Sequence, residues 1–301
     1  MLVSFLLKLK GPAMRSHLYM GFLAILLVVV VLTPWTFLRY LVVMAIAFGV
    51  AAAAYDFASV RSGYINLGQT FVMGVAGYGA AFMSQSLMYS IIGSILLGAF
   101  GGLLLGLLAV RIRGAYYAIV TMVMPLLLIV LARTAYSVFK GDDGIPVWAL
   151  QPQIHIDSAA AVLIAVAALI AYLTKTRFGL IIRSISHDEM LAISSGINTA
   201  LYKLGAYIIA GAATGVATFY LVVLSGIMST TLIDPVPWVI YMLLASGVKP
   251  GNVVWSFSIG TLLYIIDVMM RASFPNLRLF IISLMLVATY AVLSKRYATG
   301  G

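Results

Sequence analysis

The stretch M-Y-S-I-I-G-S-I-L-L-G-A-F-G-G-L-L-L-G-L-L-A-V, residues 88–110, decides the fold class of this protein. It carries no charged side chain, and it exceeds the roughly 20 residues that an α-helix needs to cross a bilayer. Gly98, Gly102 and Gly106 recur in it at every fourth position. Small residues at this spacing let two helices approach closely in lipid, either as static packing or as a moving contact. The stretch therefore predicts a membrane-spanning helix packed against a neighbour.

The composition of the chain extends this prediction to its full length. The chain has 301 residues, of which 63% are hydrophobic and only 9% are charged, and its mean hydropathy is +1.12. A soluble domain carries about 25% charged residues. The sequence therefore predicts an all-α polytopic membrane protein, and the net charge of +10 reflects membrane topology rather than nucleic-acid binding. The lack of cysteine excludes disulfides and thiolate metal sites.

Apolar runs between polar residues predict about ten transmembrane helices in a single transmembrane domain over residues 1–301. They lie near residues 18–35, 39–56, 64–84, 88–110, 114–134, 157–174, 203–225, 235–248, 252–270 and 278–294. Two of the runs are weak spans. The run 235–248 is shorter than a bilayer requires, and the run 64–84 is rich in glycine and carries polar side chains. Either run fits a broken or re-entrant segment, which is tolerated where it is buried in protein or lines a cavity.

Basic residues predict the orientation of these helices. With a cytoplasmic N-terminus, thirteen of the 18 Lys and Arg residues fall on the cytoplasmic side, which is the usual bias. We therefore expect a multi-pass protein of the cell (inner) membrane, with both termini cytoplasmic. Residues 1–17 predict a cytoplasmic amphipathic leader, because their basic residues follow the apolar part instead of preceding it as in a signal peptide. Two connections are long, an external loop over 136–156 and a cytoplasmic loop over 175–202.

The cytoplasmic loop contains R-S-I-S-H-D-E-M-L-A-I-S-S-G-I-N, residues 183–198, with the single glutamate of the chain. Ser186 and Glu189 fit a capping box, in which each side chain binds the backbone N–H of the other residue. Apolar residues at helical spacing and a closing Gly196 predict a short amphipathic helix over 186–197, lying along the cytoplasmic face of the membrane. This pattern fits a capped surface helix, and it equally fits an element that docks into a groove on a partner protein.

The same stretch resembles the cytoplasmic coupling motif of ABC importer permeases of the branched-chain amino-acid (LivM-type) family. The matching positions are Arg183, Ile185, Glu189, Ala192, Gly196, Ile197 and Asn198. Three further stretches are similar to elements of this family, in the same order along the chain. They are I-N-L-G-Q-T-F-V-M-G-V-A-G-Y (65–78), R-I-R-G-A-Y-Y-A-I-V-T (111–121) and K-G-D-D-G-I (140–145). Together they extend the resemblance over about residues 40 to 294.

The resemblance implies a type II-like ABC importer permease fold with a short cytoplasmic coupling helix. It implies a translocation path for branched-chain or other small amino acids, or for amides or urea. ATP and Mg²⁺ would bind to partner subunits and no cofactor to this chain, which lacks the phosphate-binding G-x-x-x-x-G-K-[ST] loop. The implied partners are a homologous second permease, with a heterodimer favoured, two ABC ATPase subunits and an extracytoplasmic substrate-binding protein. The implied ATPase-coupling residues are Arg183, Ser186, Asp188, Glu189, Ala192, Gly196 and Asn198.

Polar residues within the predicted spans are candidates for the translocation path. They are Asn66, Gln69, Thr70, Tyr78, Tyr116, Tyr117 and Thr121. Hydrogen bonding between helices explains the same residues equally well. On the external loop, Asp142 and Asp143 are candidates for contact with the binding protein, and a solvated turn is the alternative.

Other classes of function fit the sequence less well. Most charged residues fall at predicted membrane interfaces, where Asp267 and Arg271 predict an i,i+4 ion pair. A secondary transporter usually has ion-binding residues near the membrane midplane, so this distribution does not favour that class. Ser186, His187 and Asp188 are consecutive and point in different directions, so they cannot form a hydrolase triad. The histidines and carboxylates show no metal-ligand spacing. A sugar or nucleoside permease of the same superfamily and an ATP-independent secondary transporter stay open as alternatives.

Overall fold

The computed structural model describes residues 35–112, 114–247, 249–273, 277, 280–285 and 287. Its α-helices are, in chain order, α1 (Thr36–Ala58), α2 (Gln69–Phe82), α3 (Leu87–Arg111), α4 (Ala115–Thr134), α5 (Tyr136–Phe139), α6 (Ile156–Leu173), α7 (Arg177–His187), α8 (Glu189–Ser194), α9 (Thr199–Ser225), α10 (Pro235–Gly247) and α11 (Val253–Ser273). The remaining elements are 3₁₀ turns at Val60–Ser62, Trp148–Gln153 and Thr230–Leu232 and the strands β1 (Ile145–Pro146) and β2 (Ile227–Met228). The predicted helical class is confirmed, and a short two-stranded ribbon is added to it.

Within the described residues, six helical segments are long and apolar enough to cross a membrane. They are Thr36–Ser62, Leu87–Arg111, Ala115–Thr134, Ile156–Leu173, Thr199–Ser225 and Val253–Arg271. Each coincides with a predicted span, from 39–56 at the first to 252–270 at the last. The predicted leader 1–17 lies outside the described residues, as do the span 18–35 except for its last residue and most of the span 278–294. The total of ten helices therefore stays a prediction.

The two spans predicted to be weak form short helices. α2 has 14 residues and α10 has 13, so each is about 20 Å long against the roughly 30 Å of a bilayer core. The non-helical segment 64–68 precedes α2. Its polar residue Asn66 is fully buried inside the protein. Burial in protein is the condition under which non-helical backbone is tolerated at membrane depth.

The helices α1 and α9 form the centre of the described bundle. Nearly every residue of α1 from Leu41 to Ala58 is buried, and so is nearly every residue of α9 from Ala210 to Leu224. The helices α4 and α6 instead expose most of their apolar side chains. Because lipid tails are as apolar as leucine, such exposure carries no penalty in a bilayer. The burial pattern therefore places α1 and α9 inside and α4 and α6 at the periphery.

The helices α3 and α9 touch backbone to backbone along a seam of glycines. A Cβ atom on Gly102 would lie 2.1 Å from the carbonyl oxygen of Tyr207, and one on Gly211 would lie 2.3 Å from the carbonyl oxygen of Gly98. These distances leave no room for a side chain on either glycine. The close helix approach predicted from the glycine spacing is confirmed, and in this structure it is a packed contact.

The bundle has two ends, which lie at opposite ends of α4. The Glu189 end contains α7, α8, the turn after α1 and the start of α9, and the Asp142 end contains α5, β1 and β2. At the Asp142 end, β1 pairs antiparallel with β2, with Ile145 opposite Met228. The N–H of Val147 continues the pairing with a 2.8 Å hydrogen bond to the carbonyl oxygen of Gly226. This ribbon joins the α4–α6 connection to the α9–α10 connection.

Candidate functional site

The 183–198 stretch folds as two helices rather than as the single predicted helix over 186–197. Residues up to His187 belong to α7, and Asp188 adopts an extended conformation that separates α7 from α8. The carboxylate of Asp188 accepts a 2.9 Å hydrogen bond from the N–H of Leu191 and so caps α8. Ser186 lies within α7 and donates to the carbonyl oxygen of Arg183 instead. The predicted capping box is therefore wrong, because α7 continues through Ser186 and the cap falls two residues later.

The end of α8 agrees with the sequence. Gly196 has a φ of +81°, a left-handed conformation that favours glycine. Its N–H binds the carbonyl oxygen of Ile193 at 2.9 Å, and the N–H of Ile197 binds that of Ala192 at 3.1 Å. This pair of hydrogen bonds is the Schellman arrangement that satisfies the last carbonyls of a helix. The predicted stop at Gly196 is confirmed.

Glu189 points into the bundle, where it forms an ion pair. Its Oε1 atom lies 2.7 Å from Nζ of Lys203, and it also accepts a 3.3 Å hydrogen bond from the hydroxyl of Thr199. The Lys203 side chain is only 1% exposed, and its ammonium donates a second hydrogen bond to the Tyr64 hydroxyl at 2.8 Å. The Tyr64 hydroxyl donates in turn to Oε2 of Glu189 at 3.3 Å. Glu189 is thus the anchor of α8 on the bundle rather than its cap.

Sequence reasoning missed Lys203 and Tyr64. Nothing in the spacing of Lys203 from Glu189 indicates a contact, because the two residues lie in different helices. The signal that points to Lys203 is its position. A lysine in the first turns of an otherwise uncharged and largely apolar helix needs a counter-charge. The single glutamate of the chain is the nearest acidic residue to it in sequence.

Arg61 forms a second anchor at the Glu189 end. Its guanidinium donates to the carbonyl oxygens of Gly179 at 3.1 Å, Thr174 at 2.7 Å and Gly251 at 3.0 Å. The side chain is buried, and its three acceptors belong to α7, to the end of α6 and to the turn before α11. Asp56 accepts from the N–H of the same Gly251 at 3.0 Å. The Arg61 contacts therefore fix the base of α7 on the end of α1.

With its charge turned inward, α8 presents apolar side chains outward. Met190, Leu191 and Ile193 are 63%, 65% and 45% exposed, whereas Ala192 is buried against the bundle. We call Met190, Leu191 and Ile193 the α8 patch. Of the predicted coupling residues outside the helix, Arg183, Asp188, Gly196 and Asn198 are also exposed, and Ser186 is partly buried.

All but one of the predicted path residues are buried. Asn66, Gln69, Thr70, Tyr78, Tyr117 and Thr121 are all buried, whereas Tyr116 is 75% exposed on the outer side of α4. The seven residues therefore do not line one common surface. Tyr116 is separated from the others because α4 turns it by about 100° from Tyr117.

Within the buried group, hydrogen bonds connect α2 to α9. The amide of Gln69 donates to the hydroxyl of Thr214 at 2.9 Å, and Asn66 accepts from the N–H of Gly68 at 2.8 Å. The hydroxyls of Thr70 and Tyr78 have no hydrogen-bond partner among the described residues. Thr214 is a member that sequence reasoning missed, since a threonine in a long apolar helix gives no signal of its own. Interhelical bonding, the alternative reading of these residues, accounts for Gln69, whereas the bonds of Asn66 to Gly68 and Gln69 are local.

The two aspartates of the predicted external loop are both bound at the Asp142 end. Asp142 accepts hydrogen bonds from the hydroxyl of Thr230 and from Nε of Arg133, the latter at 3.1 Å. The bond from Thr230 and then those from Arg133 hold the pKa of Asp142 below its usual range. Asp143 accepts a 2.6 Å hydrogen bond from the Tyr136 hydroxyl, and this bond raises the pKa of Tyr136. Asp142 thereby ties the α4–α6 connection to the segment before α10.

A comparison with protein families decides the class of the protein. The model of the family described as branched-chain amino acid transport system, permease component, matches residues 37–290. The chain belongs to this family. Searches of curated proteins and of solved structures found no significant match. The resemblance is thus confirmed over most of the chain, and the protein is a permease component of a transport system.

The permease neutralises a buried carboxylate in α11. Asp267 is fully buried, and its Oδ2 atom lies 2.6 Å from Nη2 of Arg271, so the predicted i,i+4 ion pair is confirmed. The hydroxyl of Tyr241 on α10 donates to the other carboxylate oxygen. Asp267 is therefore paired and hydrogen-bonded, which is what a buried charge requires. This arrangement is a structural one that links α10 to α11.

Proposed function

We propose that this permease is the transmembrane subunit of an ATP-binding-cassette importer, and that it couples to its ATPase subunits through α8. The observation that carries the proposal is the orientation of α8, whose charged side chain faces the bundle and whose apolar side chains face away from it. Glu189 is turned inward onto Lys203, while the α8 patch is turned away from the bundle. A short helix of this kind, with an exposed apolar face at the end of a membrane bundle, fits the helix-in-groove mode of protein recognition.

The anchoring of α8 supports a mechanical role for it. The ion pair of Glu189 fixes α8 to α9, and Arg61 fixes α7 to the end of α1. A force on the α8 patch therefore reaches α1 and α9, the two most buried of the six long spans, through charged, hydrogen-bonded contacts. ATP and Mg²⁺ would be bound by the partner ATPases, since the chain lacks a phosphate-binding loop.

The proposed substrate class follows from the family. We propose branched-chain or other small amino acids as substrates, with amides or urea as further members of the class. A second, homologous permease subunit would complete the path, and a substrate-binding protein would dock at the Asp142 end, where Asp142 and Asp143 remain candidate contacts. We place the Glu189 end in the cytoplasm and both termini with it, following the distribution of Lys and Arg.

Cysteine labelling tests both the docking and the orientation, since the chain contains no cysteine of its own. Leu191→Cys places a thiol on the α8 patch, and Trp148→Cys, at a residue that is 66% exposed, places one at the Asp142 end. We expect a membrane-impermeant maleimide to label Leu191→Cys in inside-out vesicles and Trp148→Cys in intact cells. Co-assembled ATPase subunits should protect Leu191→Cys only. Equal labelling of Leu191→Cys with and without the ATPases contradicts the docking role.

Transport measurements test the substrate and the energy source. In proteoliposomes that hold the complete transporter, we expect uptake of radiolabelled leucine or valine to require ATP and to persist when ion gradients are collapsed. Uptake driven by an ion gradient without ATP would identify a secondary transporter. Uptake of a sugar or a nucleoside in place of amino acids would identify the alternative permease class.

A further inference from the structure

We infer that Lys203 and Tyr64 are positioning residues that transmit the movement of α8 to the segment 64–68 and to α2. The inference rests on the proposed coupling role of α8 and adds the residues by which the coupling leaves it. A single ammonium group, that of Lys203, binds both Glu189 of α8 and Tyr64 of the segment that enters α2. We call Glu189, Lys203 and Tyr64 the lysine node.

The first step of the argument is the burial of the ammonium. The Lys203 side chain is 1% exposed, while that of Glu189 is 18% exposed. A buried charge is tolerated only when it is paired and hydrogen-bonded. Lys203 therefore cannot release Glu189 and Tyr64 independently without leaving its charge short of partners. We therefore expect a movement of Glu189 to change the position of Tyr64 as well.

The second step is that Tyr64 contacts the cation in two ways. Its hydroxyl accepts from Nζ of Lys203 at 2.8 Å, and Nζ also lies 4.6 Å from the centre of its ring. A cation over an aromatic face is attracted by the ring electrons. The hydroxyl hydrogen of Tyr64 remains free to point at Glu189, which it does at 3.3 Å. Tyr64 thus binds both charges of the ion pair.

The third step is the connection from Tyr64 to the buried polar group. The next residues of the chain are held one by one. The N–H of Leu67 binds the hydroxyl of Thr121 at 3.1 Å, and that of Gly68 binds Asn66 at 2.8 Å. A Cβ on Gly68 would lie 2.5 Å from the carbonyl oxygen of Thr121, so this backbone lies directly against α4. A displacement of Tyr64 is therefore passed to the start of α2.

The ring of Tyr64 makes a further contact on its other side. It packs edge to face against Tyr117, with the ring centres 5.3 Å apart. The hydroxyl of Tyr117 lies 2.8 Å from that of Tyr207 on α9 and is hydrogen-bonded to it. The lysine node thus contacts α4 at Tyr117 and, through Tyr117, reaches Tyr207 of α9, in addition to the segment that leads into α2.

Two variants separate transmission from docking. Tyr64→Phe keeps the ring, its contact with Tyr117 and the attraction of the cation, but it removes the hydroxyl that bridges the two charges. Lys203→Met keeps much of the side-chain volume and removes the charge. The matched control is Tyr172→Phe, which removes a hydroxyl from a residue of α6 that is 66% exposed.

The measurement is the amount of amino acid taken up per ATP hydrolysed, in proteoliposomes that hold the complete transporter. We expect Tyr64→Phe and Lys203→Met to keep ATPase activity and to lower this ratio at least about fivefold, the lower end of coupling between sites. Tyr172→Phe should keep the wild-type ratio. A residue that only stabilised the fold would lower the amount of assembled transporter and leave the ratio of the assembled fraction unchanged.

The outcomes also separate this inference from the proposed function. Should wild-type proteoliposomes show no ATP-dependent uptake, the proposed function fails. If the wild type is coupled and Tyr64→Phe keeps the wild-type ratio, the inference is wrong while the proposed function stands. Tyr64→Phe provides this test even if Lys203→Met does not assemble. Partial recovery of the ratio in the exchange Glu189→Lys with Lys203→Glu, relative to Glu189→Lys alone, supports the pair as the acting unit.

Discussion

Nη1 of Arg61 and the carbonyl oxygen of Gly251 are joined by a 3.0 Å hydrogen bond, although the two residues lie 190 positions apart in the chain. The same guanidinium binds two further carbonyl oxygens. Three acceptors around one side chain require the fork of donors that arginine has and lysine lacks. The turn after α1 is therefore a meeting point of α1, α7 and the turn before α11.

Replacement of Arg61 by lysine tests this meeting point. Lysine keeps the charge but cannot serve three diverging carbonyl oxygens, and each buried acceptor left without a donor costs about 1–3 kcal/mol. We expect Arg61→Lys to lower the free energy of unfolding in detergent by at least about 2 kcal/mol, as two acceptors lose their donor. Arg39→Lys is the control, since Arg39 pairs with the half-exposed Asp157. Equal losses for both variants contradict the special role of Arg61.

The cap of α8 predicts a local effect at Asp188. Asp188→Ala removes the acceptor for the N–H of Leu191, which should cost α8 about 1 kcal/mol. We expect hydrogen exchange of the amides of α8 to accelerate roughly fivefold, with uptake per ATP reduced in parallel. Asp188→Ser keeps a capping oxygen and should stay close to the wild type. Faster exchange in both variants would show that the cap is not the cause.

The glycine seam predicts a strong effect of a single methyl group. In Gly102→Ala the new Cβ would lie 2.1 Å from the carbonyl oxygen of Tyr207, so α3 and α9 must separate. We expect a loss of about 1–3 kcal/mol in the free energy of unfolding, as for other overpacked sites. The neighbouring Gly101→Ala, whose Cβ would lie 3.3 Å from Cα of Val72, should cost less. Thermal unfolding of the two purified variants measures the difference, and a larger loss in Gly101→Ala refutes the seam.

The Asp142 contacts predict a dependence of stability on pH. The folded state lowers the pKa of Asp142 below its usual value of 3.8, so the stabilisation is present above pH 3.8 and is lost as the pH falls through the lowered pKa. We expect the wild type to lose more of its melting temperature on acidification below pH 3.8 than Asp142→Asn does. Melting curves in detergent at a series of acidic pH values test this. Parallel loss in the two proteins places the acid sensitivity elsewhere.

The helices were predictable from the sequence because apolar runs and glycine spacing are local properties. The six long spans and the packed glycines of α3 agree with the structure for this reason. The partners of those glycines were not predictable, since Tyr207 and Gly211 lie about a hundred residues further along the chain and nothing local marks their face. The count of crossing segments also depends on how short helices such as α2 are embedded, which apolar length alone does not determine.

The sequence indicates Glu189 as part of the polar site, but it does not indicate that Lys203 and Tyr64 are its partners. The spacing of Glu189 from Ser186 predicts a capping box, yet the partner of Glu189 is Lys203 in another helix. The Glu189 carboxylate could bind either the backbone of Ser186 in a capping box or the ammonium of Lys203. It binds Lys203, because a buried ammonium requires a counter-charge. Asp188 could take over the cap because its carboxylate lies next to its own helix start. Tyr116 was not distinguishable from Tyr117, since a place within a predicted span does not indicate which face of α4 a residue lies on.

The ribbon of β1 and β2 joins the α4–α6 connection and the α9–α10 connection into one unit. Met228 in β2 pairs with Ile145 and also contacts α2, where a Cβ on Gly77 would lie 2.4 Å from its sulfur. Asp142 also joins the two connections, because it accepts a hydrogen bond from the hydroxyl of Thr230. A protein that grips the 136–156 connection would therefore pull on the far end of α2, the helix that the lysine node reaches from its near end. The short helix α2 is therefore connected to both ends of the molecule, to the Glu189 end through the segment 64–68 and to the Asp142 end through Met228.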